Sequence, residues 1–157
     1  MSYWELHPAL KYVGLFEEAG YDINVIYFIL NSIDQSVERV NFRVNQEGGR
    51  SVDYNSIQEN FSQGLINLDS HFQDFNRVIV VDSSQDNYNN SSNALNIQLD
   101  IQGNKVTCYN TEFPNKNLKP FMPKISALVQ QTLKVQKKID LFKLIGNNKK
   151  KGKGFSM

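Results

Sequence analysis

The chain has 157 residues, a formal net charge of +1 and 40% hydrophobic residues. That is one domain's length, with enough apolar side chains for a core, and its balanced charge excludes a general polyanion binder. The single cysteine, Cys108, excludes an intrachain disulfide and a multi-cysteine metal site, and His7 and His71 lie too far apart in sequence to form a zinc-ligand motif. No signal peptide and no apolar run of membrane-spanning length are present, so no membrane association and a cytoplasmic location are expected.

The chain order predicts an α/β domain over residues 1–146. Pro8 suits the first turn of a helix and Gly20 its end, with Ala9, Tyr12, Val13, Phe16 and Ala19 as an apolar stripe and Tyr3 and Trp4 over the core. Val25 to Leu30 is apolar on both faces, the pattern of a parallel strand covered on both sides. Ser32 and Gln35 form a capping box that opens a second helix. On that helix Arg39 and Arg43 stand four residues apart on one face, while Val37, Val40 and Val44 make an adjacent apolar face.

A Glu47-Gly48-Gly49-Arg50 turn follows, bringing a third arginine close to the first two. Three guanidiniums near a glycine turn suit phosphate, which they bond bidentately. The same arginines would equally serve a solvated face, paired with Asp34, Glu38 or Glu47.

Asp53 or Asn55 caps the next helix, whose Ile57, Phe61, Leu65 and Leu68 face the core. Asn60, Gln63 and Asn67 line a separate polar stripe, either solvated or available to a ligand. Phe72 and Phe75 precede a strand at Val78 to Val81, which ends in Asp82-Ser83-Ser84. Ligands of open parallel sheets gather at such carboxyl ends, so Asp82 either contacts a nucleotide or starts an Asx turn. Residues 83–93 read as a mobile polar loop.

The apolar period then changes to two. Leu95, Ile97, Leu99 and Ile101, a turn at Gly103-Asn104, then Val106 and Cys108 predict a hairpin over 95–109, with Cys108 a small core residue. Pro114, Pro120 and Pro123 mark an irregular connection. Ile125, Leu128, Thr132, Val135, Ile139 and Phe142 repeat three and four apart and predict a long helix over 123–145, packed along the domain or forming a short coiled-coil seam. The lysine-rich residues 147–157 read as a disordered basic tail that would meet nucleic acid or an acidic partner, if anything.

Residues 9–84 resemble the distal part of the zeta-toxin-like P-loop kinases, a family that includes toxins phosphorylating UDP-N-acetylglucosamine. The resemblance rests on Gly20-Tyr21, Arg39-Val40, Arg43-Val44, Gly48-Gly49-Arg50, Ile57, Phe61, Leu65, Asn67 and Leu68, in the family's order and spacing. Arg50 stands where the family usually has His, and Asn60 where it usually has Arg.

The resemblance implies a partial P-loop-kinase-like parallel sheet with covering helices, to which the hairpin and the long C-terminal helix are added. It implies phosphate contacts from Arg39, Arg43 and Arg50, further ligand contacts from Asn67 and its neighbour Asn60, and ATP and Mg as cofactors; Asp82 joins the possible ligand contacts from its place at the end of its strand. No Gly-x-x-x-x-Gly-Lys-Ser/Thr phosphate loop occurs in the chain, and the family's catalytic aspartate belongs to the proximal half.

Two functions follow from this. One is a kinase segment, inactive alone, whose phosphate loop comes from elsewhere. The other is a non-catalytic binding module of the same descent. Because the family's phosphate-loop strand neighbours the 25–30 strand, a second copy, a partner chain or the chain's own hairpin or terminal helix is expected to cover that edge.

Overall fold

The computed structural model describes residues 7–84 and 95–151. Helix α1 (His7–Glu18) leads into strand β1 (Asn24–Ile29), then helices α2 (Ile33–Glu47) and α3 (Tyr54–His71), strand β2 (Arg77–Asp82), the hairpin β3 (Ile97–Gln102) and β4 (Lys105–Tyr109), and helix α4 (Pro123–Lys151). The four strands form one sheet in the order β1-β2-β3-β4. β1 and β2 are parallel, from Asn24 opposite Arg77 to Ile29 opposite Asp82, while β3 runs antiparallel to β2 and β4 antiparallel to β3. The α/β class, the parallel pair and the long terminal helix agree with the sequence reading. The hairpin, expected as an addition, extends the same sheet and makes it mixed.

The core lies on one side of the sheet. Val78, Val80, Leu99 and Ile101 pack with Leu65, Leu68 and Phe72 and with Leu118, Met122, Ile125 and Val129. Val25 and Tyr27 join that side from β1. Asp53 caps α3 by accepting from the Ser56 amide at 2.9 Å, and Ile57, Leu65 and Leu68 are buried as their spacing requires. The buried Asp69 carboxylate accepts the amides of Lys124 and Ile125 at 3.1 and 2.8 Å. These donors have no partner within their own helix, so α3 supplies the cap that α4 lacks.

Several expectations are corrected. β1 is not covered on both faces: Ile26 is 55% and Phe28 58% exposed, and no strand pairs with its outer edge among the described residues. The stripe on α1 does not enter the core: Tyr12, Phe16 and Ala19 are exposed and Val13 is half-buried.

Cys108 is exposed, not a core residue. The cause is a bulge. Ile101 faces Val106 while Asp100 faces Cys108, which leaves Thr107 as an extra residue bonded through its hydroxyl to the Asp100 carbonyl. One inserted residue moves the following side chain to the other face. A second irregularity, between Val80 and Val81, accompanies the partial exposure of Ile97, and Leu95 is exposed ahead of the strand.

The hairpin turn is at Gly103 and Asn104, with φ of 52° and 62°, the left-handed pair that two-residue turns need. α4 continues to Lys151, so residues 147–151, expected in a disordered tail, are helical. Tyr3 and Trp4, the loop from residue 85 and residues 152–157 of the tail lie outside the described residues.

Candidate functional site

The carboxyl ends of β1 and β2 carry a continuous polar rim. Asp82 ends β2, and its carboxylate accepts from Asn31 Nδ2 at 2.9 Å, from Asn96 Nδ2 at 3.3 Å and from the Ser84 amide at 2.7 Å. The last of these is the Asx turn that the sequence allowed. It leaves both carboxylate oxygens engaged. Asn31, just beyond β1, donates its amide to Gln35 Oε1 and to Ser84 Oγ, each at 2.9 Å. Ser83 Oγ donates to the Ile29 carbonyl at 2.9 Å and so ties the two strand ends together.

Helix α2 starts at this rim. Ser32 caps it, accepting the Gln35 amide at a long 3.4 Å. The Gln35 side chain reaches the amide of Asn31, not that of Ser32, so the capping box closes one residue earlier than expected. The helix thereby presents its first turn to the space outside the strand ends. Arg39, a turn and a half along, donates through Nη2 to the Ser83 carbonyl. That contact places one guanidinium of the arginine helix on the rim at the end of β2.

Arg43 and Arg50 sit farther out. Both are exposed, and neither guanidinium forms a hydrogen bond or ion pair with a described residue. Of the acidic residues named for a solvated face, Asp34 and Glu38 form no ion pair with Arg39 or Arg43.

The glycine turn holds close to Arg43. The amides of Gly48 and Gly49 both donate to the Arg43 carbonyl, the latter at 2.9 Å. A side chain at Gly49 would begin 3.0 Å from that carbonyl oxygen and 3.3 Å from Arg43 Cβ, so only glycine fits without displacement. Arg43 and the start of Arg50 are thus brought together, with Arg39 one turn nearer the strands.

The two asparagines of α3 lie on the helix that follows the glycine turn. Asn67 Oδ1 accepts from Gln63 Nε2 at 2.8 Å, one turn back on the same helix, and Asn60 is half-buried near its middle. Asp82 belongs to the rim.

Sequence reasoning missed the rim's asparagines. Asn115 Nδ2 donates to the Asn31 carbonyl and Oδ1 at 3.3 and 3.2 Å, and Asn117 Nδ2 to the same carbonyl at 3.2 Å. These two come from the proline-marked connection, which Phe113 and Leu118 anchor in the core. The position of Asn31 directly after an apolar strand was a usable signal. Nothing local singled out Asn115 or Asn117 among the chain's many asparagines.

Comparison with protein families, curated proteins and solved structures finds no match for this chain. Among the described residues no helix is long and apolar enough to cross a membrane, and no group of three or more His, Cys, Asp or Glu residues could hold a metal ion.

Proposed function

We propose that residues 9–84 are the distal segment of a zeta-toxin-like, ATP-dependent small-molecule kinase, with nucleotide sugars as the substrate class that the resemblance implies. The observation that carries the reading is the position of the arginine helix. It begins at the carboxyl end of β1, fixes Arg39 to the carboxyl end of β2, and leaves Arg43 and Arg50 without partners among the described residues beside a turn that only glycine allows. Phosphate is the ligand class that such unpaired guanidiniums recognise best.

The open edge of β1, with Ile26 and Phe28 exposed beside it, gives a second line of support. It is where a phosphate-loop strand, from a partner or from sequence outside these residues, would add to the sheet.

The cofactors fit unequally. Arg39, Arg43 and Arg50 suit the phosphates of ATP. Mg finds no ready ligand here, because the Asp82 carboxylate is committed to Asn31, Asn96 and the Ser84 amide. A phosphate loop would bring the magnesium hydroxyl and the lysine that arginines only supplement. The arginines of this segment therefore bind and orient phosphate and do not transfer it.

Isothermal titration of the purified chain with ATP tests this. Binding is expected to be weak, without turnover of UDP-N-acetylglucosamine. Arg43→Ala with Arg50→Ala should weaken it by about tenfold, the loss expected when charge-assisted bonds to phosphate are removed. The circular dichroism should stay unchanged, since both residues are exposed. Turnover by the chain alone, or equal affinity in the double variant, would overturn the reading.

A further inference from the structure

Helix α4 is two structures in one. Its 29 residues span about 44 Å at the usual rise. The proximal part is core, with Ile125 and Val129 buried and Leu128 and Leu133 packed against them. The distal part leaves the body: Val135 is 53%, Ile139 42% and Phe142 65% exposed. The three-and-four spacing continues across that transition, with the polar Thr132 followed by Val135, Ile139 and Phe142. In heptad terms Thr132 and Ile139 occupy a positions, and Val135 and Phe142 d positions.

The seam is narrow. At 100° per residue, Val135, Ile139 and Phe142 span roughly 60°, the width of a coiled-coil seam, while Leu141, also exposed, lies about 100° or more away from them. Lysines border it on both sides. Lys138 is the g residue before Ile139, and Lys143 the e residue after Phe142; both are exposed. The one acidic residue of the distal part, Asp140, sits off the seam and is bonded to Gln136 Nε2 at 3.0 Å.

Charge is segregated to match. Eight of the 17 Lys and Arg residues lie from Lys134 onward, against one of the 16 Asp and Glu residues. Residues 1–133 therefore carry a formal −6 and residues 134–157 +7.

We propose that the exposed distal half of α4 is a docking helix for an acidic helix of a different protein, one with an apolar seam flanked by Glu or Asp at e and g. Pairing with a second copy is disfavoured by its own charges. A parallel pair sets Lys138 against Lys143 of the other helix, the g-to-e′ contact that selects coiled-coil partners. An antiparallel pair again faces lysine with lysine or glutamine. An acidic partner converts each repulsion into an attraction and covers Val135, Ile139 and Phe142 as well. A nucleic acid would account for the lysines and leave the seam unexplained. The proposal does not depend on the kinase reading, since α4 lies outside the segment that carries it.

The test uses the full chain and two four-heptad helical peptides with Ile at a and Leu at d, one with Glu and the other with Lys at every e and g. Fluorescence anisotropy should register saturable binding of the Glu peptide and none of the Lys peptide. Val135→Asp with Ile139→Asp should cost the Glu peptide at least about tenfold in affinity, as expected for two buried seam residues. Lys138→Glu with Lys143→Glu should reverse the preference between peptides. All four positions are exposed, so the far-ultraviolet dichroism should hold in every variant.

Three outcomes would overturn the proposal. One is no saturable binding of the Glu peptide. Another is binding that the seam variant leaves intact, which would mean diffuse charge attraction. The third is self-association of the chain in sedimentation that the seam variant alone abolishes. Binding of duplex DNA or of phosphatidylglycerol vesicles in place of the Glu peptide would likewise assign the helix to those surfaces.

Discussion

β1 and β2 read alike in sequence and end differently. Val25 to Leu30 and Val78 to Val81 are both apolar on both faces. In β2, which has a strand on each side, Val78 and Val80 are completely buried and Val81 nearly so. In β1, with one neighbour, Ile29 is buried, Val25 and Tyr27 are half-covered, and Ile26 and Phe28 are more than half exposed. Apolarity on both faces therefore marks the surroundings a strand is built for, and β2, where only Ile79 of the four stays half-buried, comes closer to them than β1 within the described residues. The surplus on β1 is surface of the kind that partners cover.

The sharpest test of this difference lies at the centre of β2. Val80→Asp would place a carboxylate in an apolar cluster with Leu65, Leu99 and Ile125. The expected loss is about 4 kcal/mol or more, enough to unfold a domain of ordinary stability, and urea denaturation would measure it. If Val80→Asp folds with little loss, β2 is not a buried strand in solution.

The next effect concerns what covers β2. Asp69→Ala would leave the amides of Lys124 and Ile125 without their acceptor in a buried place. About 2 kcal/mol of stability should be lost, seen as a lower urea midpoint at unchanged slope. Asp69→Asn, which keeps one acceptor oxygen, should lose less. Equal losses in the two variants would point to packing, not the cap, as the role of Asp69.

This cap also marks where the sequence stopped being legible. Local signals were sufficient for the elements: Ser32 and Asp53 as caps, Gly103-Asn104 as a turn and the two apolar strands all stand where their chemistry puts them. The arginine helix and its glycine turn were legible for the same reason. What failed was long-range.

An acidic cap contributed by another helix has no signature in its own neighbourhood, and neither do Asn115 and Asn117 on the rim. The exposure of Cys108 depends on a bulge that alternation alone does not reveal. The exposure of Phe28 and Phe142 could not be read either, since an apolar face looks the same in sequence whether its cover lies within the chain or outside it.

A smaller effect should appear in acid. Arg77 donates two hydrogen bonds to Asp100, through Nε at 3.0 Å and Nη2 at 2.7 Å, across the β2–β3 pair. These bonds hold the Asp100 carboxyl below its ordinary value, against an opposing push from partial burial, and the Thr107 hydroxyl adds to the lowering. A depressed carboxylate stabilises the fold above its unfolded-state value, about pH 4, and that contribution disappears as pH falls through the lower folded value. The folded chain should therefore lose stability below about pH 4, and Asp100→Asn should flatten that part of the profile. A profile unchanged by Asp100→Asn would mean that the pair contributes nothing to the β2–β3 junction.

The smallest expected effect is the one that bears most directly on β1. Ile26→Lys with Phe28→Lys introduces two charges into a strand that reads as core, and a sequence-based judgement would class the pair with Val80→Asp. The structure implies otherwise, because both side chains already face solvent and their replacements need no desolvation. The remaining cost is reduced strand preference, about 1 kcal/mol or less for the pair. Urea denaturation should thus separate the two double-faced strands by several-fold in free energy. Binding of an apolar dye such as ANS should fall in the lysine variant, since its surface would have been removed. A loss approaching that of Val80→Asp would mean that Ile26 and Phe28 are packed within the chain in solution, and the open edge of β1 would then be no place for another strand to join.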